Sequence, residues 1–534
     1  KKKLQKRIFG KKDSEREVFE EKKVKEYYLG IDIGTYESRG MLIDENMIPV
    51  ADCSVTHGMD HPREGWFEHD ADQVWWGDFC KLCRLLLEKS KISPDEIRCV
   101  GTSALGTDCL PVDRDCNPLR PAILYGIDSR AEEEIKWLTQ YYGDDVKKMF
   151  GHPICTGDTA TKILWIKNHE PEVYEKTYKF LTGSSYLTAK LTGKYVIDQF
   201  LAKGSFRPLY NRDGTINKEN CRLYCRPDQI AECAYSFETA GTVTKKASKE
   251  CGLKEGTLVI VGTGDSTAEA ISVGLVESGT VFFQYGSSMF YYYCVDRYVD
   301  DYVSASGNGA LKGGKEFTVP GTFCIGDGTN AAGTLTRWVR DTFYQEELKR
   351  ERSGGENAYA VMAKEAAEVE AGSEGLIVLP YIYGERSPIQ DPKATGMLFG
   401  LKGTHTRKQI NRAALEAVGY STLQHMILFD EMKLPPKSVI TAGGGTKNAA
   451  WMQIICDMIG KEICIPERYQ CSSYGDAVMA ALGDGRFRDF TELRDALPKG
   501  KMIVPNEKNH IYYKEHYKMF KDLYLNNKAM MHSI

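Results

Sequence analysis

Residues Thr257 to Phe290 read TLVIVGTGDSTAEAISVGLVESGTVFFQYGSSMF. Leu258 to Val261 is an apolar, β-prone run, too short for a helix and ending at a glycine. Gly262-Thr263-Gly264-Asp265 follows, then small residues at helical spacing from Ser266 to Val273. A second strand, Thr280 to Gln284, breaks at Gly286-Ser287-Ser288. A carboxylate at the end of a buried strand, beside glycines that admit a ligand to the backbone, suits a base or a metal partner. A second turn of glycine and hydroxyls suits phosphate oxygens, which need N–H and O–H donors without bulk. The same residues also fit an ordinary β-α-β unit, because short glycine motifs are common.

Working outward, the arrangement has a counterpart near the start of the chain. Tyr27 to Thr35, YYLGIDIGT, is again a strand ending in an acid, a glycine and a hydroxyl, and Arg39 to Ile43 alternates like the returning strand of a hairpin. Two such turns, far apart in sequence, could grip one polyphosphate from two domains. Neither is a P-loop or a dinucleotide fingerprint, since no GxxxxGK[ST] occurs and no GxGxxG opens a helix.

Trp66, beside Gly65 in a turn-rich stretch, is a candidate for stacking on a sugar face. The strand from Arg98 to Ser103 leads to Gly106-Thr107-Asp108, and the run from Arg120 to Tyr125 leads to Asp128-Ser129-Arg130. Polar residues at the ends of neighbouring strands converge on one crevice, so Asp108, Asp128 and Arg130 are candidates to hold a polyol. Each serves equally well as a helix cap or a surface pair. Thr159 to Leu191 reads as helical, and the polar stretch to Pro227 as loops or short strands over the crevice. Thr406 to Phe429 reads as one long helix. Ser438 to Asn448 is a strand running into Gly443-Gly444-Gly445, where a flat adenine could lie on the backbone before a helix that starts near Ala449. Tyr474-Gly475-Asp476-Ala477 starts a small-residue helix expected to close the second domain. Repeated βα and ββ turns in both halves imply two α/β domains around a cleft.

A chain of 534 residues exceeds one ordinary core, which agrees with two large domains. Lys+Arg at 70 against Asp+Glu at 74 leaves a formal charge of −4, no footprint for nucleic acid or an anionic membrane. The 16 cysteines show no doubled CxxC spacing and, with no secretory signal in the sequence, read as reduced thiols of a cytoplasmic protein. No apolar run approaches the roughly 18 residues of a membrane helix. Residues 1–26 are densely charged and read as a solvated extension.

From Tyr27 to Phe487 the chain resembles the FGGY carbohydrate kinases, in the superfamily shared with actin and the heat-shock chaperone ATPases. Two long family signatures are met. One runs from Gly157 through Lys162 and Trp165 to His169. The other runs from Gly396 through Gly400-Leu401 and Gln409-Ile410 to Ala413-Ala414-Leu415-Glu416. The resemblance implies an α/β fold of two ribonuclease-H-like (actin-like ATPase) domains around a central cleft, at 27–272 and 273–534. It also implies ATP and Mg²⁺ as cofactors and transfer of phosphate to a small sugar or polyol. On the matching motifs, Asp265 falls at the general base and Asp32 near Mg²⁺. Thr35, Gly286 and Ser287 fall at the phosphates, Gly333 at the nucleotide, and Gly444 with Asn448 at the adenosine. Gly384-Glu385-Arg386-Ser387-Pro388 resembles a segment of the xylulokinase-like branch. The acceptor side departs from the better-known branches. Gly106-Thr107 stand where a xylulokinase carries Met-His, and Tyr125-Gly126-Ile127-Asp128-Ser129-Arg130 replaces the usual Trp-containing segment. Trp66, Thr107, Asp108, Asp128 and Arg130 are therefore the acceptor-site candidates. Ribulose, erythritol or a similar ketose or polyol stands beside xylulose as acceptor. A nucleotide-binding module without catalysis is the rival class, and a homodimer is left open.

Overall fold

The computed structural model describes residues 25–466 and 471–534. Most of the charged extension, residues 1–24, lies outside the described residues.

Each half of the chain builds a seven-stranded mixed sheet, and the two sheets share one strand plan. In the first, Tyr27–Ile33 pairs antiparallel with Glu37–Asp44, which pairs with Pro49–Thr56. On its other side Tyr27–Ile33 runs parallel to Ile97–Ala104, followed by Leu258–Ile260 and then antiparallel Thr239–Thr242 at the edge. In the second, Thr280–Tyr285 pairs antiparallel with Met289–Val295, which pairs with Phe323–Gly328. Thr280–Tyr285 also runs parallel to Ser438–Ala442, followed by Ile463–Ile465 and then antiparallel Lys501–Ile503. The strand Tyr27–Ile33 is almost wholly buried, as expected for a central strand covered on both faces.

Parallel strands deliver their C-terminal ends to one edge of a sheet. In the first sheet this brings Asp32 level with Ser103, and Ser103 level with Thr263, two residues before Asp265. In the second it sets Gln284 level with Ala442, so the Gly286-Ser287 turn and the triple-glycine turn leave the sheet side by side. The two turns read from the sequence thus lie at corresponding edges of the two sheets.

Several elements differ from the sequence reading. Thr159 to Leu191 is not one helical run: Thr159–His169, Pro171–Lys176 and Gly183–Thr192 are helices, with a strand at Lys179–Leu181. The stretch read as loops holds two short helices, Gln199–Gly204 and Lys218–Tyr224. The long helix is Arg407–Glu431, opened by a capping box in which Thr406 and Gln409 satisfy each other's backbone.

The largest correction concerns the helix Ser472–Gly483. It does not close the second domain: Tyr474, Ala477, Val478 and Met479 are buried in the first domain's core. Glycines permit the docking. A Cβ on Gly30 would lie 1.9 Å from the Ser473 carbonyl oxygen, and one on Gly101 would lie 2.2 Å from that of Asp476. A side chain on either strand would expel the helix.

Candidate active site

The carboxylates lie where the first sheet's strands end. Asp265 is the first residue of the helix Asp265–Ser272, and its Oδ1 accepts the Ser266 N–H at 2.6 Å. Burial raises its pKa, and the Ser266 N–H opposes that shift only in part. Asp32 is pushed up to about 7, first by burial and then by the charge of Asp265. Glu269, one helical turn beyond Asp265, is also pushed up to about 7 by burial and by Asp265. Arg39 is the basic side chain that lowers both Asp32 and Glu269, yet its guanidinium is engaged by Glu37 at 2.6 and 2.8 Å. Three carboxyls at this sheet edge are thus raised, each chiefly by burial.

A fourth acid, Asp476, joins them from the helix Ser472–Gly483. The Ser103 hydroxyl lies 2.8 Å from Asp32 Oδ1 and 2.6 Å from Asp476 Oδ2. One hydroxyl proton cannot serve two carboxylates, so one carboxyl must donate in return. Burial raises Asp476 well above the usual carboxylate range and raises Asp32 too, so the proton belongs to the pair. The sequence reading did not single out Asp476, because its helix was assigned to the other domain.

Asp265 forms one wall of a cavity of about 350 Å³. Thr35, Thr107, Tyr125 and Ser205 line it from the first domain, and Tyr292 and Lys315 from the second. Thr35 and Tyr125 bring their hydroxyls to 3.3 Å of each other. Lys315 lies over the Phe200 ring at 4.1 Å, and no carboxylate is paired with it among the described residues. Burial lowers its pKa.

Four acceptor candidates are not brought to this cavity. Arg130 has a fully buried side chain clamped to Asp128 at 2.7 Å and to Glu68 at 2.7 Å, and it covers the Trp66 ring at 4.2 Å. Asp128 also accepts the Phe67 N–H. Trp66, Asp128 and Arg130 therefore satisfy one another in a polar core beneath the loops. Asp108 is fully buried with both oxygens unpartnered, against Gly183 and Trp75 rather than in the cavity. Of the acceptor candidates, Thr107 alone lines it. Tyr125, Ser205, Tyr292 and Lys315 were missed. Tyr125 had a signal, since it begins the segment that replaces the usual Trp, whereas Lys315 had none.

Of the nucleotide candidates, Thr35 lines the cavity just described, and the others lie at the second sheet's edge. The N–H groups of Ala332 and Thr334 donate to Ser287 O, and that of Gly333 donates to Gly286 O at 2.9 Å. A Cβ on Gly333 would lie 2.5 Å from that same oxygen, so only glycine can start the helix Gly333–Phe343 there. Gly443 has φ +90° and packs on Tyr285, the residue before Gly286. A Cβ on Gly444 would meet nothing within 4 Å. Asn448 caps the helix Ala449–Ile459, accepting the Trp451 N–H at 3.0 Å.

Comparison with known proteins bears on the family and the fold. The model for the FGGY family of carbohydrate kinases, N-terminal domain, matches residues 27–272, and that for the C-terminal domain matches residues 285–483. The chain is similar to the xylulose kinase of Staphylococcus xylosus, 25% identical over 500 residues that cover 93% of this chain and 99% of the relative. It is also similar to the gluconokinase of Bacillus subtilis (strain 168), 27% identical over 491 residues that cover 90% and 92%. The crystal structure of xylulose kinase from Rhodospirillum rubrum superimposes with a TM-score of 0.82 at 25% identity, covering 95% of this chain and 100% of that one.

Proposed function

The chain belongs to the FGGY family of carbohydrate kinases and is an ATP-dependent sugar kinase, and we propose that it phosphorylates a terminal hydroxyl of a ketose of the xylulose class with Asp265 as general base. The observation that carries the reading is the position of Asp265. Asp265 lines a small cavity at the end of the first sheet, together with Tyr292 and Lys315 of the second domain. Phosphoryl transfer needs positioning and charge stabilisation more than covalent chemistry. Asp265 takes the proton of the attacking hydroxyl. Thr107, Tyr125 and Ser205 orient the sugar, and the two domains exclude the water that would otherwise hydrolyse ATP. Asp32 with Glu269 would hold Mg²⁺ carried with the nucleotide, which would supply charge to offset that of the phosphates. Asp476 acts through Ser103 to fix the Asp32 carboxyl. Thr35 and the Gly286-Ser287 turn would face the phosphates, Gly333 the nucleotide, and Gly444 and Asn448 the adenosine.

A second reading concerns the acceptor alone. An ammonium in the cavity without a carboxylate partner favours an acidic sugar, and one of the similar proteins is a gluconokinase. ADP release with Mg-ATP, measured over ketopentoses, ketohexoses, pentitols, tetritols and aldonates, tests both. Release stimulated by xylulose or a close ketose supports the first reading, and release stimulated by aldonates alone supports the second. A folded, ATP-binding protein that responds to none of them would overturn the kinase assignment.

The adenosine placement has its own test. Gly444→Val introduces a side chain into open space at a position without positive φ, so the fold tolerates it. If the adenosine occupies that space, ATP affinity falls by at least about tenfold, or about 1.4 kcal/mol, while sugar affinity holds. Equal ATP titrations for variant and parent would move the adenosine elsewhere.

A further inference from the structure

The loop before the helix Thr159–His169 carries a cluster that the kinase mechanism does not use. One ligand atom each of His152, Cys155 and Asp158 lies within 4.8 Å of the other two. We propose that these three side chains bind a zinc-class divalent cation at a site separate from the Mg-ATP site.

The geometry is that of oriented ligands. His152 Nδ1 lies 2.8 Å from the Pro153 carbonyl, which calls for a proton on Nδ1 and leaves the Nε2 lone pair facing inward. Asp158 is 1% exposed, and its Oδ2 accepts the Cys155 N–H at 2.8 Å. The other oxygen, Oδ1, is buried without a hydrogen-bond partner and lies 3.3 Å from His152 Nε2. Two ligands of a tetrahedral ion, each bonded at about 2.0–2.1 Å, are about 3.3 Å apart. Cys155 stands exposed at the mouth and leaves a fourth position to water. A nitrogen, a sulfur and a single oxygen select zinc or its neighbours over Mg²⁺, which demands oxygen ligands.

The competing occupant is a proton. At 3.3 Å, a protonated His152 would form an ion pair with Asp158 Oδ1. A metal would take the place of that proton. The cluster also has a structural reach. Lys162, on the helix that Asp158 opens, donates to the carbonyls of Thr156 and Thr107, and the Thr156 hydroxyl donates to Gly126. An ion at Asp158 would therefore anchor the loop behind the Thr107 and Tyr125 side of the acceptor cavity.

The test uses the full chain, chelator-treated, titrated with Zn²⁺ by calorimetry and with Co²⁺ by absorbance, without nucleotide. The expected result is a tetrahedral Co²⁺ spectrum with a thiolate charge-transfer band. In C155S that band disappears, and in both C155S and H152Q the affinity of this site falls by at least about tenfold. Thermal midpoints of the metal-free variants should stay at that of the parent, and Zn²⁺ should raise the midpoint of the parent only. Zn²⁺ and Co²⁺ binding that is unchanged in C155S and H152Q, or absent from the parent, overturns the proposal and leaves the pair holding only a proton.

Discussion

Asp265→Asn is expected to bind sugar and ATP nearly as the parent does and to lose kcat by about 10²–10⁴-fold, the usual scale for general-base catalysis. The substitution separates chemistry from structure. The hydrogen bond that the carboxyl makes with the protein is to the Ser266 N–H, and an asparagine carbonyl accepts it equally well. Gly264, not Asp265, is the capping residue of the helix, so no cap is lost. What asparagine cannot do is take a proton. The variant also removes the charge that helps raise Asp32 and Glu269, so both should titrate lower. The pH profile supplies a second readout. A base works when deprotonated, so kcat/KM rises with pH through its pKa, and burial displaces that limb upward from the ordinary carboxylate range. In Asp265→Asn the limb should vanish. A variant that keeps most of its turnover, with the limb intact, would remove Asp265 from the mechanism.

How far the site could be read from the sequence divides along a physical line. The glycine turns at the sheet edges are visible, because glycine is demanded by geometry: Gly333 has no room for a Cβ against Gly286, and Gly443 holds a positive φ. The acids at strand ends are visible for the same reason, since parallel strands bring Asp32 and Asp265 to one edge. The acceptor pocket is not visible in this way. Whether Asp108, Asp128 or Arg130 points into a crevice or into the protein depends on partners distant in sequence. Arg130 found Glu68 and the Trp66 ring. Lys315 enters from the two-residue strand Lys315–Glu316 in the other domain, where no local pattern marks it. The helix Ser472–Gly483 shows the same limit. Its small residues announced close packing but not which surface it packs against.

That packing carries the other large expected effect, for Gly475→Ala. A Cβ on Gly475 would lie 1.8 Å from the Ala268 carbonyl oxygen and 2.6 Å from the Ala268 carbonyl carbon, against the roughly 3.5 Å of an ordinary contact. The obstacle is backbone on the helix Asp265–Ser272, so no rotamer change relieves it. Retreat in the other direction is blocked, because the helix Ser472–Gly483 already rests on Gly30 and Gly101 of the first sheet. One methyl must therefore force the two helices apart. Overpacking of this kind costs about 1–3 kcal/mol and sometimes more, so a fall of about 2–12 °C in the thermal midpoint is expected. The damage should also reach the chemistry, since one helix carries Asp265 at its start and the other carries Asp476, which holds Asp32 through Ser103. A displacement of about 1 Å at reacting groups costs on the order of a hundredfold in rate. Fully folded Gly475→Ala, assayed below its midpoint, should thus lose kcat while ATP affinity at the distant Gly444 turn holds. Gly403→Ala, where a Cβ meets nothing within 4 Å, is the matched control and should match the parent in both measurements. Parental stability and turnover in Gly475→Ala would mean that the two helices do not pack in contact, and that the carboxylates at their ends are positioned by something else.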